Sequence, residues 1–432
     1  MARARVRQGA AAEHEANWRN RTLWTGDNLT IMRGMNSASV DLMYLDPPFN
    51  SNRNYSAPIG DKKSTAAFKD TWSLDDVKKE WVEDIETDNT ASWSAITAAG
   101  FTSGDSTQAY LTYMAIRLIE MRRILKPTGS LYLHCDPKMS HYIKLLMDAI
   151  LGAEQYRNEI IWYYRGAGTP RADFARRHDV IFRYSGKKDK MFFDPDPARQ
   201  PYAEATVKRF SHHIGNVRDG IDYGQQTLNS KGKHPDDVIT DIQPIAPSAR
   251  ARLYPTQKPL ALLERIIATS SRKGDMVFDP FCGGGTTMVA AEALDRRWAG
   301  ADIEPTASKF LVKILQQAAD NSAFLRGHSL DDVEVHHETR PPKRTDEDAP
   351  KRSKNIKRIL FNLQHGRCAG PCGEDKAGRL LDLDLFEVDH IVPRAKGGQD
   401  IDDNLQLLCP TCNRRKGSRT MRRFLELYAM NG

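Results

Sequence analysis

Two widely separated stretches of the sequence carry side chains in patterns that could do chemistry. The first, Asp46-Pro47-Pro48-Phe49-Asn50, follows the run Val40 to Leu45. That run reads as a buried parallel strand, so Asp46 stands where the strand ends, the place at which open α/β sheets bind ligands. Asp46 and the carbonyl of Pro47 can each accept one hydrogen of an exocyclic amine, which frees the nitrogen lone pair from its ring. Pro47 and Pro48 stiffen the turn, and Phe49 offers a face for stacking on a planar base. As four letters alone, the motif reads equally well as an ordinary turn after a strand.

The second stretch runs from Gly274 to Thr287. A short strand ends at Asp279, and Phe281, Gly283, Gly285 and Thr286 form a glycine-rich turn into the apolar helix Met288 to Leu294. The turn lacks the G-x-G-x-x-G spacing of a pyrophosphate cradle, which argues against a dinucleotide. Trp298 to Asp302 reads as the next strand, with an acid at its carboxyl end that could hold ribose hydroxyls. Strand, glycine turn, helix, strand and acid together describe a site for an adenosyl cofactor.

Near the end of the chain, Cys368 and Cys372 pair with Cys409 and Cys412 as four thiolates in two short-spaced pairs. This is the pattern of a closed structural zinc site. Between the pairs lie Glu387 to Pro393, with Asp389 and His390, and then Asn404. Asn413 follows the last cysteine. Arg414, Arg415, Lys416, Arg419, Arg422 and Arg423 crowd the segment after it, where a helix would lay them along DNA phosphates, a solvated helical face being the plainer alternative.

These motifs carry two resemblances. DPPFN, YPTQKP at Tyr254 to Pro259, DPFCGGGTT and Asp302, in that order, resemble the permuted β class of amino-group DNA methyltransferases. RILKPTGSLYLHCDP at Arg123 to Pro137 and RNEIIW at Arg157 to Trp162 extend the likeness over most of residues 21 to about 325. The resemblance implies methyl transfer from S-adenosylmethionine to the amino group of adenine in double-stranded DNA after the base is flipped out, with cytosine as the alternative base. It implies catalytic roles for Asp46, Pro47, Pro48 and Phe49. Cofactor contacts would come from Asp27, Lys258, Asp279, Phe281, Gly283, Gly285, Thr286 and Asp302, with Asp27 beside the cofactor's adenine and Lys258 at its carboxylate. Phe49 departs from the tyrosine common there; it keeps the stacking face and loses a hydroxyl.

Residues 356 to 424 resemble the HNH nucleases. That likeness implies that His390 deprotonates water, that Asp389 and Asn413 hold one magnesium or manganese ion, and that Asn404 orients the loop. Asn413 stands where some members have histidine, and an oxygen ligand suits magnesium better than imidazole does. Arg414, Arg415, Lys416 and Arg419 would bind DNA. The two units together imply a restriction-modification fusion; the alternative is a unit that only binds DNA beside the methyltransferase.

Composition agrees. The chain has 432 residues, 40% of them hydrophobic, a net charge of +7 and a pI near 8.9, which suits two or three domains and a polyanionic partner. No apolar run reaches membrane-spanning length and no secretory signal is evident, so the expected setting is the cytoplasm of a prokaryote, or of one carrying a phage gene. Six cysteines, four of them clustered, suit metal binding in a reducing compartment. A homodimer is a further partner to consider.

The expected fold class is α/β, a doubly wound Rossmann-like sheet with an inserted recognition region, plus a small zinc-stabilised ββα-metal domain. Residues 1–20 read as a basic arm, 21–187 as the catalytic half, 188–253 as the target-recognition region, 254–330 as the cofactor half, 331–355 as a charged linker and 356–432 as the nuclease domain. Ser51 to about Ser106 is expected to be a loop that folds over DNA rather than a surface subdomain. Helices are expected over Tyr110–Leu125, Met139–Leu151 and Leu260–Ser271, and strands over Arg21–Asn28, Ser130–Cys135 and Glu159–Tyr163. His134, Cys135 and His141 read as core or substrate-loop packing, not metal ligands. Lys208, Arg209, His212, His213 and Arg218 are candidate DNA contacts.

Overall fold

The computed structural model describes residues 14–51, 55–58, 65–68, 70–166, 168–211, 215–219, 221–225, 227–246, 257–305, 311, 334–346, 355–372, 379–396, 398, 400–401 and 404–430. They fall into two compact units, Met1–Arg344 and Thr345–Gly432.

In the first unit the strands are β1 (Thr22–Thr25), β2 (Val40–Leu45), β3 (Tyr55–Pro58), β4 (Thr65–Phe68), β5 (Leu125–Cys135), β6 (Tyr156–Tyr163), β7 (His178–Ser185), β8 (Gly215–Arg218), β9 (Ile221–Gln225), β10 (Val238–Ile239), β11 (Met276–Asp279), β12 (Arg297–Asp302) and β13 (His336–Glu338). Nine of them form one sheet in the order β10-β6-β7-β5-β2-β11-β12-β1-β13, while β3 pairs with β4 and β8 with β9 as separate hairpins. Within the nine, β7 is antiparallel to both neighbours. Every other pairing is parallel. Strands buried on both faces read as near-continuous apolar runs, and β2 behaves so: Leu42 and Tyr44 pack into one core layer, Met43 and Leu45 into the other.

The helices are α1 (Asn28–Arg33), α2 (Lys79–Asp88), α3 (Thr90–Ser103), α4 (Asp105–Ile124), α5 (Pro137–Leu151), α6 (Glu204–Phe210), α7 (Leu260–Ser270) and α8 (Thr286–Ala293). One core layer holds Leu111, Met114, Leu118 and Met121 of α4 with Ile143 and Met147 of α5. The opposite layer holds Leu262, Leu263, Ile266 and Ile267 of α7 with Met288 and Val289 of α8. Helices on both faces of a mostly parallel sheet make the doubly wound fold.

Four expectations need correction. The second half of the stretch from Ser51 to Ser106 is no loop: α2 and α3 bury Trp81, Ile85, Ile96 and Ala99 in the main core, because those residues recur at helical spacing on one face. The helix expected to begin at Tyr110 begins at Asp105, and the strand expected over Arg21–Asn28 is confined to Thr22–Thr25, since Asp27 turns to cap α1. β7 was not foreseen, although Val180, Ile181, Phe182 and Tyr184 are an apolar run of strand length. Finally, residues 336–338, assigned to the linker by charge, pair with β1 as the outermost strand, and Asn17 and Ser37 bond the segment onward to Lys343 and Arg344. Backbone pairing along an edge does not need apolar side chains.

The second unit contains α9 (Ile356–Leu363), the antiparallel pair β14 (Glu387–His390) and β15 (Leu405–Leu408), α10 (Pro410–Lys416) and α11 (Met421–Met430). Its own small core gathers Ile356, Leu360, Phe386, Leu405, Leu407 and Phe424 around the cysteines. Hairpin and helix match the expected ββα arrangement.

Candidate functional site

Because β1, β2, β11 and β12 are mutually parallel, their carboxyl ends open at one edge of the sheet, and a cavity of about 640 Å³ lies there. Asp46 to Phe49 line it from β2, Asp279 to Gly284 with Thr286 and Thr287 from the turn after β11, Asp302 from β12, Asp27 from the turn after β1, and Lys258 from the segment before α7. Two motifs separated by more than two hundred positions thus face one space.

Each acid has a defined environment. Oδ2 of Asp46 pairs with Nζ of Lys258 at 2.5 Å, while its buried Oδ1 has no hydrogen-bond partner among the described residues. A buried acceptor left unpaired costs free energy on the order of 1–3 kcal/mol, so Oδ1 is poised for a donor. Phe49 stacks on His134, with ring centroids 5.8 Å apart and planes inclined by 24°, and Lys258 Nζ stands 5.4 Å from the Phe49 centroid. Asn50 takes a positive φ of 57°, and its backbone N–H donates to Asp70 at 2.8 Å. The turn after the strand is therefore fixed from below.

Asp279 accepts from the Phe281 backbone at 2.9 Å and from the Thr287 hydroxyl at 2.6 Å. Asp302 accepts from the backbone of Gly283 and of Glu304, each at 2.8 Å. Both acids thus brace the glycine turn as well as line the cavity. Gly283 and Gly285 have φ of 48° and 87°, in the left-handed region that favours glycine. A Cβ on Gly285 would meet Leu311 Cδ1 at 2.5 Å, so Gly285 serves packing behind the turn and does not face the cavity. Lys258, expected at a cofactor carboxylate, pairs here with Asp46 instead. Tyr254 to Thr256 lie outside the described residues, as do His212 and His213.

In the second unit the four cysteine sulfurs lie within 4.8 Å of one another. Among the described residues this is the one group of three or more such ligands that could hold a metal. Asn404 accepts from the Val392 N–H at 2.9 Å and donates to the Val392 carbonyl at 3.0 Å, so it clamps the loop after β14. His390 Nε2 lies 3.0 Å from Asp400. Asp389 Oδ2 pairs with Lys416 at 2.9 Å and with Gln406 at 3.0 Å. Asn413 donates its amide N–H to Glu387. Arg414, Arg415 and Arg419 are exposed. Lys416 is not: it is fully buried, bonded to the His390 carbonyl and Asp389. It falls on the inner side of α10, and a cation there neutralises Asp389 and cannot meet a phosphate.

The family model described as DNA methylase matches residues 40–313. The chain belongs to that family. A model described as HNH endonuclease matches residues 368–419. The methylase is 27% identical over 364 residues to the type II methyltransferase M.EcaI of Enterobacter cloacae, covering 72% of each chain. It is 25% identical over 306 residues to the DNA adenine methyltransferase YhdJ of Escherichia coli, covering 70% of this chain and 85% of that one. Among solved structures, the PvuII DNA methyltransferase (cytosine-N4-specific) matches at 14% identity with a TM-score of 0.40, covering 71% of this chain and 96% of its own.

Several residues of the methylase site were not foreseen. Arg117 of α4 is buried and reaches Asp27 at 2.7 Å, while its guanidinium stacks 3.5 Å from the Tyr113 ring centroid. An arginine inside an otherwise apolar helical stretch was the available signal. His134, expected only to pack, also bonds Tyr44 through Nδ1 at 2.8 Å and Asp179 through Nε2 at 2.9 Å. A carboxylate can only accept, so a neutral ring gives its Nε2 proton to Asp179 and receives the Tyr44 hydroxyl at Nδ1.

Burial pushes the Asp279 carboxyl up to about 7. Its unfolded value is near 3.9, so the folded state binds this proton more tightly. The stabilising contribution is complete below about pH 4 and is lost as pH rises through 7. Asp279→Asn cannot ionise. Its thermal stability relative to the parent should therefore grow between pH 5 and 8, by on the order of 2–4 kcal/mol. Parallel melting curves across that range would remove this ionisation from the account.

Proposed function

We propose that the first unit transfers a methyl group from S-adenosylmethionine to the exocyclic amine of adenine in double-stranded DNA. The unpartnered Oδ1 of Asp46, a residue that lines the cavity together with the glycine turn, carries this reading. Together with the Pro47 carbonyl it supplies the two acceptors an amino group needs, and the stiff turn holds them in place. Phe49, backed by His134, presents a rigid face to the flipped base.

The cavity fits the cofactor. Its volume suits a small-molecule site, and six carboxylates line it, Asp27, Asp46, Asp70, Asp279, Asp302 and Glu304, against the cations Arg117 and Lys258. That excess of negative charge suits a sulfonium. Asp27, Phe281, Gly283, Thr286 and Asp302 would hold the cofactor, whose chemistry is an electrophilic methyl group. Lys258 pairs with Oδ2 of Asp46 and leaves Oδ1 to the amine. Incubating unmethylated DNA with the protein and the cofactor, then sequencing with base-level detection, tests the reading. Methyl groups on cytosine N4 would assign the other base, and no modified base in any DNA would overturn the proposal.

The second unit is proposed to cleave DNA, which makes the pair a restriction-modification fusion. Oδ1 of Asp389 and the amide oxygen of Asn413 are the oxygens available to a magnesium or manganese ion, and His390, oriented by Asp400, is the base for water. Cleavage should need added divalent metal and vanish in His390→Ala. Methyl transfer should continue under chelation, since no developing negative charge needs a cation there. Cleavage by His390→Ala at the parent's rate would remove the histidine from the mechanism, and no cutting under any metal would favour a unit that only binds DNA.

A further inference from the structure

The segment joining β6 to β7 takes no part in the cavity. β6 runs parallel to β5, and β5 to β2, so the segment leaves the sheet at the edge that carries Asp46. Its two ends are pinned: the Tyr164 N–H donates to the Arg177 carbonyl at 3.0 Å, and the Arg165 N–H donates to Gln243 at 2.9 Å. The Tyr164 hydroxyl donates to Asp179 at 3.0 Å, Asp179 bonds His134, and His134 stacks on Phe49. The root of the segment is therefore tied by consecutive contacts to the aromatic ring of the catalytic turn.

Beyond this root the chain reads Arg171-Ala172-Asp173-Phe174-Ala175-Arg176. Phe174 is 97% exposed. Arg165, Arg171 and Arg176 are exposed too, and none has an acidic partner among the described residues. A single exposed apolar side chain is ordinary on a protein surface. A phenylalanine held out between unpaired arginines, at the edge where a base must leave its helix, has a more specific use. Cations of this kind meet phosphates, and apolar rings enter base steps to hold a duplex unstacked.

We infer that Phe174 is the wedge that fills the base stack when the target nucleotide turns out toward Phe49, with Arg171 and Arg176 on the flanking phosphates. This rests on the first unit being a methyltransferase of duplex DNA. The wedge lowers the cost of base extrusion by replacing lost stacking, and its root contacts set it in register with the turn that receives the base.

The test uses the full chain and a duplex carrying the sequence that base-resolved sequencing shows the parent to methylate. A second duplex is identical except for an abasic site opposite the target base, where extrusion needs less help. Phe174→Ala should lower kcat/KM on the ordinary duplex by about 5- to 150-fold, the value of one base–aromatic stack. It should stay within about threefold of the parent on the abasic duplex, by the same argument, and Phe174→Trp should restore activity on both. Arg171→Ala and Arg176→Ala should each flatten the salt dependence of DNA binding by about one unit of slope. Unchanged activity of Phe174→Ala on the ordinary duplex overturns the wedge while leaving the methyltransferase standing, and so does an equal loss on both duplexes. A parent that methylates no duplex overturns the methyltransferase itself, and the wedge with it.

Discussion

Asp46→Ala is expected to lower the methyl-transfer rate by on the order of 10²- to 10⁴-fold, the range associated with a positioned proton acceptor. Cofactor affinity, measured by calorimetry, should change by no more than a few-fold. The reasoning rests on division of labour around the cavity. The glycine turn is held by Asp279, Asp302 and Thr287 through hydrogen bonds that do not involve Asp46, so the cofactor half keeps its shape. The variant loses the free Oδ1 and releases Lys258 from its pair. The amine and Lys258 then each lose this carboxylate, while the bonds that hold the glycine turn stay in place. Methylation at the parent's rate would sink the assignment of Asp46, and a collapse of cofactor affinity would move the residue from chemistry to binding.

The second large effect concerns the cysteines. Elemental analysis should find about one zinc per chain, and Cys409→Ser should unfold residues 356–432. Structural zinc contributes apparent binding free energies of roughly 10–16 kcal/mol in small domains, far more than a core of this size supplies. Gly370 explains the close fit, since a Cβ there would lie 2.6 Å from Cys412 Sγ. The first unit has its own cores, so methylation should survive the substitution. Circular dichroism and a methylation assay on the same preparation check both halves, and a folded, metal-free second unit would contradict the zinc assignment.

The sheet was legible because its strands are buried on both faces and so betray themselves as apolar runs. The motif residues were legible because strand ends and glycine turns need particular residue types. Apart from β7, whose apolar run was there to read, the cause where reading failed was tertiary. β13 is charged and owes its place to backbone pairing with β1, which no side-chain pattern announces. The helices α2 and α3 looked like a polar loop because Ser, Thr, Asp and Glu are interspersed among their apolar residues. Lys416 was grouped with its neighbours in sequence, yet one face of α10 turns inward, and that face alone decides between a phosphate contact and a buried partner for Asp389. His134 reads as core or substrate-loop packing, but its two nitrogens acquire meaning only from Tyr44 and Asp179, on other strands.

The strand order has a consequence for biosynthesis. β11 and β12 are made late but lie between β2 and β1, and β13, later still, closes the edge. The central sheet cannot be completed until the ribosome has passed Glu338, so the early strands wait with unpaired edges, a state exposed to misassembly. Cys412, the last zinc ligand, emerges about 4–15 s after Glu338 at ordinary elongation rates. Each new molecule thus has the whole sheet that carries Asp46 in hand before its cysteine-bound unit can close around a metal. Under the proposed reading, in which one unit marks DNA and the other cuts it, that order of appearance would give marking a head start within every polypeptide.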